Sequence, residues 1–284
     1  MKNKNTTRVC LLTRLAKYGL CIWFFSLALL LAGSTVSAAP SSKTDKTGKK
    51  STGTASRKKT AKIVTRKGKK YCKLANGRKA TKRFVEIKGK TYYFGKTGVM
   101  EKGWIKKGGE YYYLDRSSGA QKFNCKVDGI RLRRDGRARR SDYNDQKIKT
   151  MITAKNIMNK VTKPTDSKSQ KLKKVFDWVM LDNYYRQYRT LASARAKGKG
   201  WEITFANDIF KKGYGCCVSE ACAFAFLAHE CGYTSYVCDD TAHAWTEIDG
   251  RVYDTLFAQA KSYSNYYNSS YQTAHLYRAH KLKI

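Results

Sequence analysis

The sequence predicts an α+β protein that carries an N-terminal module of β-hairpin repeats, and three observations predict it. Glycines recur at Gly68, Gly89, Gly109 and Gly129, at spacings of 21, 20 and 20 residues, with aromatic runs between them. Apolar residues recur at helical spacing through Leu172, Val175, Phe176 and Val179. Beyond residue 235, two short strand-like runs meet at Asp249-Gly250, a dipeptide that favours a two-residue hairpin.

The N-terminus comes first. Lys2, Lys4, Arg8, Arg14 and Lys17 precede an apolar run of thirteen residues from Leu20 to Ala32, which gives way to Val36-Ser37-Ala38-Ala39. The run falls short of the ~20 residues a bilayer span needs. Residues 1–38 therefore read as a signal peptide cleaved after Ala38 or Ala39, with an uncleaved anchor as the alternative. Cleavage lowers the net charge from +37 to +32, and the remaining charge is uneven. Residues 39–140 hold 32 Lys/Arg against 7 Asp/Glu, residues 141–284 hold 21 against 14. For a secreted chain this excess points to anionic wall polymers, phospholipid head groups or acidic polysaccharide. Nucleic acid fits less well, because no groove-reading motif or zinc spacing accompanies the charge.

Residues 39–67 are almost entirely Lys, Ser, Thr, Gly and Arg and read as a disordered basic tether. The repeats follow over residues 68–140. Their clearest copies are Gly89-Lys90-Thr91-Tyr92-Tyr93-Phe94 closing on Thr97-Gly98 and Gly109-Glu110-Tyr111-Tyr112-Tyr113-Leu114 closing on Ser118-Gly119. Asn76-Gly77 and Asp135-Gly136 mark the same turn in the outer copies, so each unit is expected to be a small hairpin. The pattern resembles the cell-wall-binding or choline-binding repeats of Gram-positive surface proteins. That resemblance implies a cell-surface location, peptidoglycan or its anionic polymers as partners, and a cation–π cage of aromatic faces. Tyr92, Tyr93, Trp104, Tyr111, Tyr112 and Tyr113 are the candidate wall-binding residues. Only Trp104 stands at a tryptophan position, with Phe84 and Phe123 where others would be. The alternative is that the tyrosines mostly pack the hairpins on one another.

Residues 141–284 read as a catalytic domain. A helix over about Asp145 to Val161 is carried by Ile148, Ile152 and Ile157, and the box Ser167-x-x-Gln170 opens a second. Gly213 and Gly215 then lead into Cys216-Cys217-Val218-Ser219-Glu220-Ala221-Cys222, a mostly apolar helix ending at Cys231-Gly232. A thiol in the first turn of a helix meets free backbone N–H groups and the positive end of the dipole, which favour its thiolate. Seven cysteines follow residue 38, so at least one is left unpaired in any disulfide scheme. Downstream, an Asp249-Gly250 turn pairs Ile248 with Arg251 and Trp245 with Asp254. Asp254 is then diagonal to His243 on one face, where a carboxylate can hold an imidazole in a chosen tautomer.

Gly-x-Cys-x-x-x-Ala-x-Ala-Phe, Gly-Tyr and His-Ala-Trp-x-Glu-x-x-Gly-x-x-Tyr-Asp, over about residues 168–258, resemble the core of the transglutaminase-like superfamily. The resemblance implies a papain-like α+β fold with a helix-borne cysteine and His and Asp on an antiparallel sheet. It implies Cys217 as nucleophile, His243 as base and Asp254 as orienting acid. Thr255-Leu256 departs from the family pattern after the aspartate, so Asp249 and Asp240 stay open as alternatives. Cys216 is the rival nucleophile; Trp245 and His229 read as structural. A zinc site would draw on Cys216, Cys217, Cys222, Cys231, Cys238 or His243, but no Cys-x-x-Cys pair supports it, and no cofactor is expected. The expected chemistry is amide cleavage through a thioester, by water as a protease or amidase or by an amine as a cross-linking transglutaminase. A catalytically inactive wall-binding adhesin is the alternative from another class.

Overall fold

The computed structural model describes residues 60–284. The signal peptide over residues 1–38 and most of the tether over residues 39–67 lie outside the described residues. Among the described residues, no helix is long and apolar enough to cross a membrane.

Four antiparallel hairpins come first: β1 (Lys62–Arg66) with β2 (Lys69–Lys73), β3 (Arg83–Ile87) with β4 (Lys90–Phe94), β5 (Gly103–Lys107) with β6 (Glu110–Leu114), and β7 (Lys126–Val127) with β8 (Ile130–Arg131). Their tips are Lys67-Gly68, Lys88-Gly89, Gly108-Gly109 and Asp128-Gly129. Both residues of each tip have positive φ, 48° and 71° in the first, the two-residue geometry whose twist matches the strands. This corrects the repeat's phase. The periodic glycine is the hairpin tip, not the start of a unit, so Lys62–Arg66 is a strand rather than part of the tether. Asn76-Gly77 and Asp135-Gly136 sit in the links that follow the first and fourth hairpins, closed by bonds such as Gly77 N–H to Leu74 C=O at 2.9 Å. Each hairpin stacks through the link after the next one. Met100 N–H to Lys70 C=O, Gln121 N–H to Thr91 C=O and Ala138 N–H to Tyr111 C=O recur at 2.8 Å.

Helix α1 (Asp142–Val161) begins at Ser141, whose hydroxyl accepts the Asn144 N–H. Ile148, Met151 and Ala154 face inward, whereas the expected Ile152 and Ile157 sit at the margin. Helix α2 (Lys168–Leu181) has both bonds of its capping box, at 3.1 and 2.8 Å, and buries Leu172, Val175, Phe176 and Val179. After β9 (Tyr184–Tyr185) come α3 (Leu191–Ala196) and α4 (Trp201–Asn207), which widens into the turn Asp208–Lys212 and leads to β10 (Tyr214–Gly215). Helix α5 (Cys217–Glu230) is buried along nearly its whole length. The chain then forms β11 (Ser235–Asp239), β12 (Ala244–Ile248), β13 (Arg251–Tyr253), α6 (Thr255–Ala260), α7 (Tyr263–Tyr266), β14 (Tyr267–Ser269), α8 (Tyr271–Ala274) and β15 (His280–Lys283). The five strands make an antiparallel sheet in the order β14-β13-β12-β11-β15. Ile248 pairs with Arg251 and Thr246 with Tyr253, the register the Asp249-Gly250 turn requires.

Residue 140 separates element types but not cores. Trp104, Tyr111, Tyr113, Ile130 and Leu132 join the same buried cluster as Phe176, Phe224 and Trp245, whereas the first two hairpins hold a smaller cluster of their own and share another with Ile105 and Leu114 of the third. A polar strut crosses this junction. The Trp104 indole donates to Asp128 at 2.7 Å, Asp128 bonds His229 of α5 at 2.9 Å, and Arg116 bonds Glu230 at 2.8 Å. Lys155 of α1 donates to the Trp104 carbonyl at 2.7 Å. His229 is thus structural, as the sequence suggested, but its partner lies in the repeats. Trp104→Ala is expected to destabilise the helical half as well as the repeats, by about 3–5 kcal/mol as for large-to-small core changes. Urea unfolding followed by far-UV circular dichroism checks this; an unchanged midpoint would show that Trp104 does not brace the helical half.

Candidate active site

The site is built where the first turn of α5 meets the start of β12. The N-cap residue of α5 is Cys216, which makes no side-chain cap bond. The free N–H groups of the first turn, which need partners, therefore turn to sulfur. The Ser219 hydroxyl lies 3.8 Å from the Cys216 sulfur, and the backbone N–H groups of Val218 and Ser219 favour charge on Cys216, those of Val218 and Ala244 charge on Cys217. Gly215 makes the entry turn. A Cβ there would overlap the Ser219 side chain and press on Ile209. The helix is fastened to the sheet one turn further on, where the Thr246 hydroxyl donates to the Ala221 carbonyl at 2.8 Å.

Cys216 and Cys217 are adjacent and titrate as a pair. The neighbouring Cys217 thiol, aided by the backbone donors, pulls Cys216 down to about 6 against its burial. Cys217, beside the anion this favours, is pushed up. The first proton thus leaves the pair easily. Access separates the two sulfurs: Cys216 is buried against Ser219, while Cys217 is half-buried and touches the residue after His243.

His243 is held from three directions. Its Nε2 meets Asp254 Oδ2 at 2.5 Å. Its ring lies flat on Phe257, centroids 3.9 Å apart at 7°. Its backbone N–H donates to Asp240 Oδ1 at 2.7 Å, in a loop that places Thr241 at φ 85°. Asp254 is not in a strand paired with Trp245, as the hairpin parity implied. It leaves β13 to cap α6, accepting Phe257 N–H on Oδ1 at 3.0 Å while Oδ2 holds the imidazole. Of the three candidate acids, Asp254 bonds the ring, Asp240 bonds the backbone of the histidine loop, and Asp249 occupies the hairpin tip at φ 50°. The Asp254 bond leaves Nδ1 of His243 for a second partner. Among the described residues no hydrogen bond joins Cys217 to the imidazole, so the structure brings His243 and Asp254 together and leaves Cys217 unjoined to them.

Two contributors escaped the sequence reading. Phe257, which stacks on His243, carries no signal in sequence. Glu220 had one, a lone acid one turn from Cys217 in an apolar helix. It is buried and accepts the Thr255 hydroxyl at 2.7 Å, tying the thiol helix to the cap that holds Asp254. Trp245 is fully buried and donates to Tyr271 at 3.2 Å, a packing role. The seven described cysteines are all unpaired thiols, and no group of three or more His, Cys, Asp or Glu is placed to hold a metal among the described residues.

The candidate wall-binding aromatics serve mainly as packing. Tyr92, Tyr93, Trp104, Tyr111 and Tyr113 are buried, and Tyr112 is half-buried. Phe84 touches Tyr93 and Tyr112 at centroid distances of 4.9 and 5.1 Å. Phe84 thus covers two of the rings, and Arg140 and Arg116 of the chain itself lie at the Tyr111 and Tyr113 faces, at 5.4 and 5.5 Å, where a ligand cation would sit. The concavities of the first repeats are instead lined by cations: Arg78, Lys79 and Arg83 around one of about 270 Å³, and Arg66, Lys73 and Lys79 with Tyr71 around another of about 440 Å³.

Residues 74–124 match the choline-binding repeat family. Among solved structures, the chain is similar to the choline binding domain of Spr1274 in Streptococcus pneumoniae, at 30% identity, over 28% of this chain and 93% of that one, with a TM-score of 0.26. It is similar to choline binding protein F from Streptococcus pneumoniae in the presence of a peptidoglycan analogue, at 30% identity, over 27% of this chain and 26% of that one, with a TM-score of 0.25. A structure of CbpF in complex with ipratropium matches at 30% identity over 25% of this chain, TM-score 0.24; the chain spans 23% of that relative's length. No curated protein matches the chain.

Glu220 supplies a stability test. Burial, with Asp254 and Cys216 nearby, pushes its carboxyl up to about 7. A folded-state pKa above the unfolded one favours the neutral acid, so this contribution is complete below about 4.5 and is lost as pH rises through about 7. Glu220→Gln should therefore match the parent near pH 4 and exceed it near pH 8, by up to about 3 kcal/mol. Urea midpoints at both pH values check this; an equal difference at both would show that Glu220 does not titrate on folding.

Proposed function

We propose that the chain is a wall-attached cysteine enzyme of transglutaminase-like type that acts on amide bonds. The observation that carries the reading is the 2.5 Å bond between His243 Nε2 and Asp254. It orients the imidazole next to the residue whose N–H meets the Cys217 sulfur. Cys217 sulfur attacks the amide carbonyl carbon, the C–N bond breaks, and His243 passes the thiol's proton to the departing amine. Water then resolves the thioester to a carboxylate and a free thiol; an amine would resolve it to a new amide. Hydrolysis of wall peptides or proteins is the preferred outcome.

The repeats would hold the enzyme at the cell surface. Their match to choline-binding repeats and the cation-lined concavities support attachment to peptidoglycan or its anionic polymers. The same observations favour a second reading, a wall-binding adhesin without catalysis.

Iodoacetamide labelling against pH separates the readings. An activated Cys217 is alkylated well below pH 8 and Cys217→Ala abolishes that labelling, whereas Cys216→Ala leaves it. Slow labelling, or labelling that follows Cys216, leaves the adhesin. Incubating amide-bearing wall peptides with and without a primary amine and weighing the products then distinguishes hydrolysis from cross-linking. In either reading, retention on purified walls should weaken with rising salt, because exposed charges are screened. Free choline should not displace the protein. Elution by choline at low salt would show that the aromatic faces open.

A further inference from the structure

The segment leading to the thiol carries an exposed aromatic and basic strip that the proposed chemistry does not use. Leu181, Tyr184, Tyr185 and Tyr188 are 64%, 57%, 48% and 39% exposed, four of the six large hydrophobic side chains so exposed among the described residues. Their clustering in eight residues is unlike the scattered surface apolar groups of ordinary proteins. β9 pairs in parallel with β10, Tyr184 beside Tyr214 and Tyr185 beside Gly215. Gly215 lies two residues before Cys217.

On β9, the Tyr184 N–H donates to Gly213 C=O at 3.2 Å and the Arg186 N–H to Gly215 C=O at 2.7 Å. Backbone groups alternate sides along a strand, so the N–H and C=O of Tyr185 face away from β10. β9 has no other strand partner among the described residues. A free edge of this kind accepts an extended peptide by main-chain pairing. The rings continue the surface: Tyr214 packs with Tyr184 at 5.2 Å and with Tyr188 at 5.6 Å.

Charge selects the occupant. Arg189 and Lys212 lie at the Tyr188 ring and are both neutralised by buried Asp208, at 3.3 and 3.2 Å. Arg186 is different. It is exposed, sits over Tyr214 at 5.3 Å, and has no carboxylate partner among the described residues. The Tyr185 hydroxyl bonds Gln187 at 3.1 Å. Beyond burial, its pKa is raised by the nearby Cys217, Cys216 and Glu220, which puts it alongside the thiol pair.

We infer that the β9 edge, with Tyr184, Tyr185, Tyr214 and the unpaired Arg186, is a subsite for an extended acidic peptide that places an amide at Cys217. The peptide backbone pairs with Tyr185, and its carboxylate lies on the Arg186 guanidinium. The subsite rests on the reading of Cys217 as nucleophile, and the test keeps the two apart.

The first arm needs no catalysis. Binding of an acetylated Gly-Glu-Gly-Glu-Gly amide and of its Gln counterpart to the full chain carrying Cys217→Ala is measured by calorimetry at ~0.15 M salt. The Glu peptide should bind more tightly than the Gln peptide, and adding Arg186→Gln should weaken it about tenfold while leaving the Gln peptide unchanged. Equal binding of the two peptides, indifference to Arg186→Gln, or no binding at all would overturn the subsite. The second arm compares iodoacetate with iodoacetamide at Cys217. Arg186→Gln should lower the iodoacetate rate and spare the iodoacetamide rate; an unchanged ratio counts against the subsite. Slow iodoacetamide labelling in both proteins would sink the nucleophile, and the peptide measurement would still decide the subsite.

Discussion

The first turn of α5 has no side-chain cap, and that vacancy organises the site. A helix buried on nearly every side cannot send its orphan N–H groups to water, so they need partners supplied by the fold. The two sulfurs at its start, Cys216 and Cys217, lie where those N–H groups favour negative charge. The thiol pair is thereby biased toward one negative charge. It is fixed against β12, because the Thr246–Ala221 bond sets the height of the helix over the strand. The Cys217 sulfur and the histidine loop then meet at Ala244 without either needing a long or mobile side chain.

The acid arm depends on a second capping event. Asp254 has two oxygens and uses one on each structure it joins: Oδ1 starts α6 and Oδ2 holds His243. Phe257, presented by the first turn of the same short helix, lies flat on the imidazole. One carboxylate therefore determines helix entry and ring orientation together. Glu220 and Thr255 tie that cap back to the thiol helix, so helix, strand and cap form a closed circuit around the three side chains.

The repeats are used twice. Their first two hairpins keep a small core of their own, share a second with Ile105 and Leu114 of the third, and carry a cationic surface. The third gives up Trp104, Tyr111 and Tyr113, and the fourth Ile130, to the core of the C-terminal half. Trp104 illustrates the exchange. At a position where related repeats would offer a ring to a ligand, its indole is buried and bonded to Asp128, which in turn grips His229 of α5. The module is therefore a clamp on the helical half as well as a surface of its own.

Much of this was legible in the chain. The 20-residue period, the Ser167–Gln170 box, the apolar faces of α2 and α5 and the register about Asp249-Gly250 all follow from local rules, because turns, caps and periodicities are decided by residues a few positions apart. The candidate trio Cys217, His243 and Asp254 came instead from a resemblance to a family pattern, and the structure joins two of the three, His243 and Asp254. What local rules could not decide were questions of partner. Whether Asp254 continues a strand or caps a helix, whether tyrosines face a ligand or a core, which residue stacks on His243, and where the boundary between repeats and helices ends all depend on atoms far apart in sequence. The repeat phase was misread for a related reason: the period is the same wherever a unit is said to begin, and only pairing shows that the glycine is the tip. Sequence by itself determined the hairpin period, the principal helices and the central turn, and it singled out the candidate side chains. Tertiary structure decided which of them are sheltered, which are joined and which stay exposed, because burial and hydrogen-bond closure are properties of the packed whole.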